Sequence, residues 1–183
     1  MTGVAAALGS GMNPALAHIF RRRSVRSFTS AAITDGMERD LLEAAMAAPS
    51  ARATDPWRFV VLRDVVIRQA IAARLPNGGM LAQAPLGLAI CGELGAACDR
   101  QLSYLIQDCS AAVENVLLAA DALGLGACWL GVHPREERMA HISTLLGLPE
   151  GILPIAVVAV GWPAERPAAR TRFDAAKVHT DRW

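Results

Sequence analysis

Residues 101–123 carry the longest helical pattern in the chain, and between 109 and 120 it is apolar on nearly every face. A helix with a single apolar stripe needs one neighbour, whereas one that is apolar all round must be covered on several sides. That requirement constrains the fold more than any other feature. In a chain of 183 residues, a subunit interface is a natural place to bury the excess. Gly124 and Gly126 stop the helix. Four short apolar runs read as strands, at 59–62, 86–91, 127–132 and 155–160, and the last is β-branched and unbroken. Helices are expected at 14–21, from Thr34 to before Pro49, at 65–75 and at 133–146. A turn is expected at 76–79 and a loop at 92–97.

The second informative stretch is Phe20-Arg21-Arg22-Arg23-Ser24-Val25-Arg26-Ser27-Phe28. If it runs extended, Arg22, Ser24 and Arg26 share one face and Val25 points the opposite way. Two guanidiniums flanking a hydroxyl suit a phosphate, because arginine presents a rigid fork of donors to its oxygens. A solvated basic run between helix and strand is the alternative on this stretch alone. The formal net charge is only +1, so the stretch is a local feature that fits a small anion better than nucleic acid or a membrane surface.

With 53% apolar and 19% charged residues the chain reads as one globular domain, 14–183, preceded by a flexible extension, 1–13. Cys91, Cys98, Cys109 and Cys128 form no CxxC and have no histidine at zinc-like spacing, which points to a reduced, cytoplasmic setting. The uncharged run 151–164 holds two prolines and is too short for a bilayer. His18, His133, His141 and His179 are scattered, and GxSxG, GxGxxG and Walker patterns are absent. No metal and no catalytic side chain is therefore expected. A phosphate clamp without a nucleophile, metal or base suits a phosphorylated organic cofactor that carries the chemistry itself. The segment 162–183 lacks core periodicity but holds Trp162, Phe173 and Trp183, which favours docking on another surface.

Six separated motifs occur in order: Arg22-Arg23-Ser24-Val25-Arg26; Ala48-Pro49-Ser50-Ala51 with Pro56-Trp57; Gln107-Asp108-Cys109-Ser110-Ala111-Ala112; Gly124-Leu125-Gly126-Ala127-Cys128-Trp129-Leu130-Gly131; Gly161-Trp162-Pro163-Ala164-Glu165; and Lys177-Val178-His179. On these the chain resembles the FMN-dependent nitroreductase family in its compact single-domain form, from Pro14 to Trp183. The resemblance implies an α+β fold, a mixed sheet flanked by helices in three α-β-α layers. It also implies an intertwined homodimer with two FMN molecules at the subunit interface, and a C-terminal tail, 162–183, docked on the partner. Arg22, Ser24 and Arg26 would hold the phosphate and flavin edge, with Arg23 adjoining. Pro49, Ser50 and Ala51 would contact the cofactor from their loop. Trp129, Leu130 and Gly131 would pass over the ring, and Arg170 and Arg172 would reach the phosphate. NADH or NADPH would supply electrons to a small-molecule acceptor such as a nitroaromatic or quinone, in a ping-pong sequence.

The chain departs from the family pattern in one loop. Ala53 stands where many relatives have an Asn that hydrogen-bonds the flavin, and Asp55 stands where they have Gln. Arg52 either substitutes for the Asn or is solvated. Two further readings stay open from sequence. One is a specialised relative, such as a flavin-fragmenting benzimidazole synthase or an FMN-dependent dehydrogenase; the other is a non-enzymatic flavin-binding dimer.

Overall fold

The computed structural model describes residues 13–183, so the extension expected at 1–13 lies outside the described residues except for Asn13. Its helices are α1 (Ala17–Arg21), α2 (Asp35–Met46), α3 (Val65–Ala72), α4 (Gly79–Gln83), α5 (Leu102–Ala122) and α6 (Glu136–Leu146). Its strands are β1 (Trp57–Leu62), β2 (Leu86–Glu93), β3 (Gly126–Gly131) and β4 (Ile152–Gly161). The capping residues foreseen in the sequence do their work. Asn13 Oδ1 accepts from the Ala15 N–H at 3.0 Å, and Thr34 Oγ1 accepts from the Met37 N–H at 3.2 Å.

The sheet order is β1-β2-β4-β3 and every strand pairing is antiparallel. This corrects the expected mixed sheet. Leu62, the last residue of β1, faces Gly87 at the start of β2, because α3 and α4 bring the chain back to the end of the sheet it left. Among the described residues the parallel pairing is confined to a single bridge, Ser24 with Ala127. Strand β4 also starts earlier than expected and takes in Pro154, which has no N–H to give a ladder. A bulge accommodates it: Ile90 and Cys91 of β2 face Ala156 and Pro154, so Ile155 is the extra residue in β4, at a point where β4 has not yet met β3.

Strand parity divides the core in two. Leu88, Ile90, Ala156 and Val158 face α2 and α5, while Ala89, Cys91, Val157 and Ala159 face the layer of α3, α4 and α6. The result is the expected three-layer α-β-α arrangement. Helix α5 lies centrally, and none of its residues from Asp108 to Ala120 is exposed. Its polar members are used locally: Asn115 Nδ2 donates to the Ala44 carbonyl at 2.9 Å, and Glu114 pairs with Arg22. Two helical expectations shift. Helix α3 ends at Ala72 and the short α4 follows the 76–79 turn, while α6 begins at Glu136 rather than at His133.

Gly124, with φ +78°, turns the chain out of α5. Gly126 has a different reason to be glycine. A Cβ there would lie 2.7 Å from the Cβ of Val25, whose side chain is buried against this point. Gly126→Ala should therefore push the 22–26 segment off β3. We expect a loss of roughly 1–3 kcal/mol of stability, as for overpacking elsewhere, read by urea denaturation.

Candidate flavin site

Two tertiary contacts set the basic stretch in place. Arg21 reaches Asp121 near the end of α5 at 2.7 Å, pinning α1. The Val25 N–H then donates to the Ala127 carbonyl at 2.9 Å, so the chain runs extended beside β3. Val25 is buried and Ser24 and Arg26 are exposed, the alternation that an extended run requires.

Arg22, Arg23, Ser24 and Arg26 line a cavity of about 340 Å³ together with Ile19, Arg170 and Arg172. The late basic pair, more than 140 positions away in sequence, is brought here by backbone contacts. The Arg170 N–H donates to the Phe20 carbonyl at 3.3 Å, and Arg23 donates to the Ala168 carbonyl. Five guanidiniums therefore surround one space. Their crowding lowers the pKa of Arg170, chiefly through Arg172, then Arg23, with a smaller share from Arg22. Arg22 alone of the five has a carboxylate partner among the described residues, Glu114 at 3.3 Å. Such a cluster favours an anion.

Arg26 also borders a second cleft, of about 190 Å³, lined by Leu75, Pro76, Asn77, Met80, Cys128, Trp129, Leu130, Gly131 and Arg138. Trp129, Leu130 and Gly131 thus meet the arginine cavity at its edge. Burial pushes the Cys128 thiol up, against the opposing influence of the Arg26 charge and the Ser24 hydroxyl. This thiol is a neutral wall rather than a nucleophile. Asn77, Met80 and Arg138 were not singled out from sequence. Asn77 (φ 63°) sits in the left-handed conformation that asparagine tolerates, which the Pro76-Asn77-Gly78 turn could have suggested. Arg138 Nη1 donates to the Gly131 carbonyl at 2.9 Å, a contact that depends on how α6 packs and leaves no trace in sequence.

Pro49, Ser50 and Ala51 are not brought to either cavity by the single chain. They leave α2 on the α5 side of the sheet, where the buried Asp108 of α5 accepts from the Ala51 N–H at 2.9 Å. Ser50 Oγ donates to Asp55 Oδ1 at 2.6 Å and accepts from the Asp55 N–H at 3.0 Å. Arg52 is neither free nor in either cavity; it pairs with Asp99 at 3.3 Å. Arg52, Ala53 and Asp55 all have left-handed backbones, with φ of 54°, 52° and 49°. A non-glycine residue there carries strain that Asn relieves better than Ala. Ala53→Asn is accordingly expected to stabilise the protein by up to about 1 kcal/mol, measured by denaturant titration. If the added amide reaches the flavin, the reduction potential and acceptor profile also move while FMN affinity stays nearly constant, checked by potentiometric titration.

An antiparallel three-layer domain with an arginine-walled cavity adjoining a cleft of mixed polar and apolar lining has room and charge for a phosphorylated planar cofactor. The comparisons agree with this outline. The Nitroreductase family model matches residues 19–78 and 71–162, so the chain belongs to the nitroreductase family. An Archaeoglobus fulgidus protein provisionally named NADH dehydrogenase/NAD(P)H nitroreductase is 39% identical over 175 residues, covering 94% of this chain and 100% of the relative. A crystal structure of a protein of the same provisional name from Bacteroides thetaiotaomicron superposes with a TM-score of 0.88 at 38% identity, over 94% of this chain and 100% of that one. A provisionally named nitroreductase from Desulfovibrio desulfuricans, crystallised in complex with FMN, gives a TM-score of 0.80 at 33% identity, over 94% of this chain and 99% of that one.

Proposed function

We propose that this protein reduces nitroaromatics, quinones or similar acceptors by a ping-pong sequence, as a cytoplasmic homodimer with FMN sites between its subunits. Its family and its relatives make it an FMN-dependent NAD(P)H oxidoreductase. The observation that carries the finer reading is the cavity with five arginines and the cleft that adjoins it through Arg26.

The residues fit FMN. The hydroxyl of Ser24 and the guanidiniums of Arg22, Arg26, Arg170 and Arg172 match a phosphate monoester, which accepts hydrogen bonds on several oxygens. Leu75, Met80, Trp129 and Leu130 offer apolar area for a flat ring. When bound, FMN supplies the capacity to take and pass on a hydride, so no acid–base residue is required of the protein. Arg26 stands where the two spaces meet and would place positive charge beside the ring while gripping the phosphate side.

The loop holding Pro49, Ser50 and Ala51 would complete the site from the partner subunit. Its separation from the arginine cavity within one chain supports that reading. All four cysteines are free and buried, which suits a reducing compartment. No helix among the described residues is long and apolar enough to cross a membrane.

Steady-state kinetics test the proposal. With flavin-loaded protein, varying NAD(P)H at several nitroaromatic or quinone concentrations should give parallel double-reciprocal lines. Intersecting lines would remove the ping-pong sequence. Flavin reduction without turnover on any generic acceptor would favour a specialised relative.

A further inference from the structure

Beyond the arginine cavity and the cleft lies a third and larger space, a groove of about 720 Å³ lined by Arg74, Pro76, Pro134, Arg135, Glu136, Glu137, Arg138 and His141. It shares Pro76 and Arg138 with the cleft, just as the cleft shares Arg26 with the cavity. The three spaces therefore follow one another across the molecule, with the cleft in the middle. Both outer spaces are walled by arginine.

No ion pair among the described residues engages Arg74, Arg135 or Arg138, although Glu136 and Glu137 stand on the same groove. Arg39, Arg52, Arg58 and Arg63 by contrast each pair with a carboxylate. Arg138 is half-buried and fixed by its bond to the Gly131 carbonyl, so one guanidinium ties the groove to the floor of the cleft. Arg74 follows α3 and Arg135 immediately precedes α6, so the arginines converge from separate elements. Glu136 and Glu137 lie in the first turn of α6, where the helix dipole favours them. They oppose an incoming anion in part, which suits a ligand that must leave in every cycle.

The geometry points to this groove as the site for the phosphate-bearing adenylate half of the nicotinamide dinucleotide. The assignment rests on the flavin reading of the cleft. A donor whose nicotinamide enters the cleft must place its diphosphate and adenosine ribose outside it, and this groove is the arginine-walled space that opens there. Arg74 and Arg135 are the groove arginines that take no part in lining the cleft, so they answer to the phosphates alone. Two sources of phosphate are available, the diphosphate common to NADH and NADPH and the 2′-phosphate found in NADPH only.

Calorimetry on the flavin-loaded protein with two fragments separates them. Adenosine 2′,5′-bisphosphate carries the 2′-phosphate and ADP carries the diphosphate, and neither can reduce the flavin. Wild-type protein should bind at least one of them, and Arg74→Ala with Arg135→Ala should weaken that binding at least about tenfold. Weakening confined to the 2′,5′-bisphosphate assigns the groove to the 2′-phosphate and an NADPH preference. Weakening of ADP as well assigns it to the diphosphate. FMN content and the rate of flavin reduction by reduced nicotinamide mononucleotide, which lacks the adenylate, should be unchanged. Arg135→Ala alone, at an exposed site, serves if the double variant does not fold.

Unchanged fragment binding, no fragment binding to the wild type, or an equal loss with the mononucleotide would each overturn the assignment. Failure of the underlying flavin reading looks different: purified wild-type protein would carry no FMN, or its FMN would accept electrons from neither dinucleotide.

Discussion

Replacing either Arg22 or Arg26 with alanine is expected to weaken FMN binding by roughly 1.5–3 kcal/mol, the worth of charge-assisted hydrogen bonds lost to the phosphate. That corresponds to roughly a tenfold to 150-fold rise in Kd. The two should differ in character. Arg22 is already paired with Glu114, so its removal also frees that carboxylate beside the cavity and adds repulsion. Arg26 lines both cavity and cleft, so its loss should alter the reduction potential as well as the affinity. Losses in the double variant need not add, because Arg23, Arg170 and Arg172 remain around the same space. Fluorescence titration of apoprotein with FMN reads all three. Unchanged affinity in both single variants would remove the clamp.

Sedimentation equilibrium should find a dimer with no stable monomer at micromolar concentration. A single chain leaves too much uncovered. Phe173 and Val178 in the tail are 79% and 61% exposed, and Trp183 is fully exposed. Strand β1 is a sheet edge, and beside it Leu42, Met46, Trp57, Phe59 and Val61 line an open groove. An unpaired edge flanked by apolar side chains is a surface that proteins cover. An intertwined dimer that seats the tail of each subunit on the other would cover both at once. It would bury the roughly 2,000 Å² or more expected of an obligate interface. It would also carry Pro49, Ser50 and Ala51 toward the partner's arginine cavity. A folded, flavin-loaded monomer would refute this architecture.

How much of this could be read in the sequence depends on how local each cause is. The alternation at 22–26 is a property of an extended chain, so the burial of Val25 and the shared face of Ser24 and Arg26 were legible. So were the caps Asn13 and Thr34 and the central place of α5, since each follows from a few neighbouring residues. Strand direction was not, because whether the chain returns to the end of the sheet it left depends on how α3 and α4 pack. Helix α4 was lost for its shortness, with only five residues following a glycine turn. Asn77 and Arg138 enter the cleft by tertiary placement, as does the groove that Arg138 shares. The loop residues Pro49, Ser50 and Ala51 were recognised by resemblance, but their distance from the arginine cavity belongs to the single chain's fold. In the same loop, left-handed geometry at Arg52, Ala53 and Asp55 gives Ala53 a backbone significance that its side chain does not advertise.

The central claim is that the arginine cavity grips the phosphate of FMN. The most direct measurement is the affinity of wild-type apoprotein for FMN beside riboflavin, which has the same ring and no phosphate. Several charge-assisted bonds to one phosphate predict that FMN binds at least about 100-fold more tightly. The gap should narrow sharply in the Arg22→Ala, Arg26→Ala double variant. Equal affinities of the wild type for the two flavins would contradict the claim.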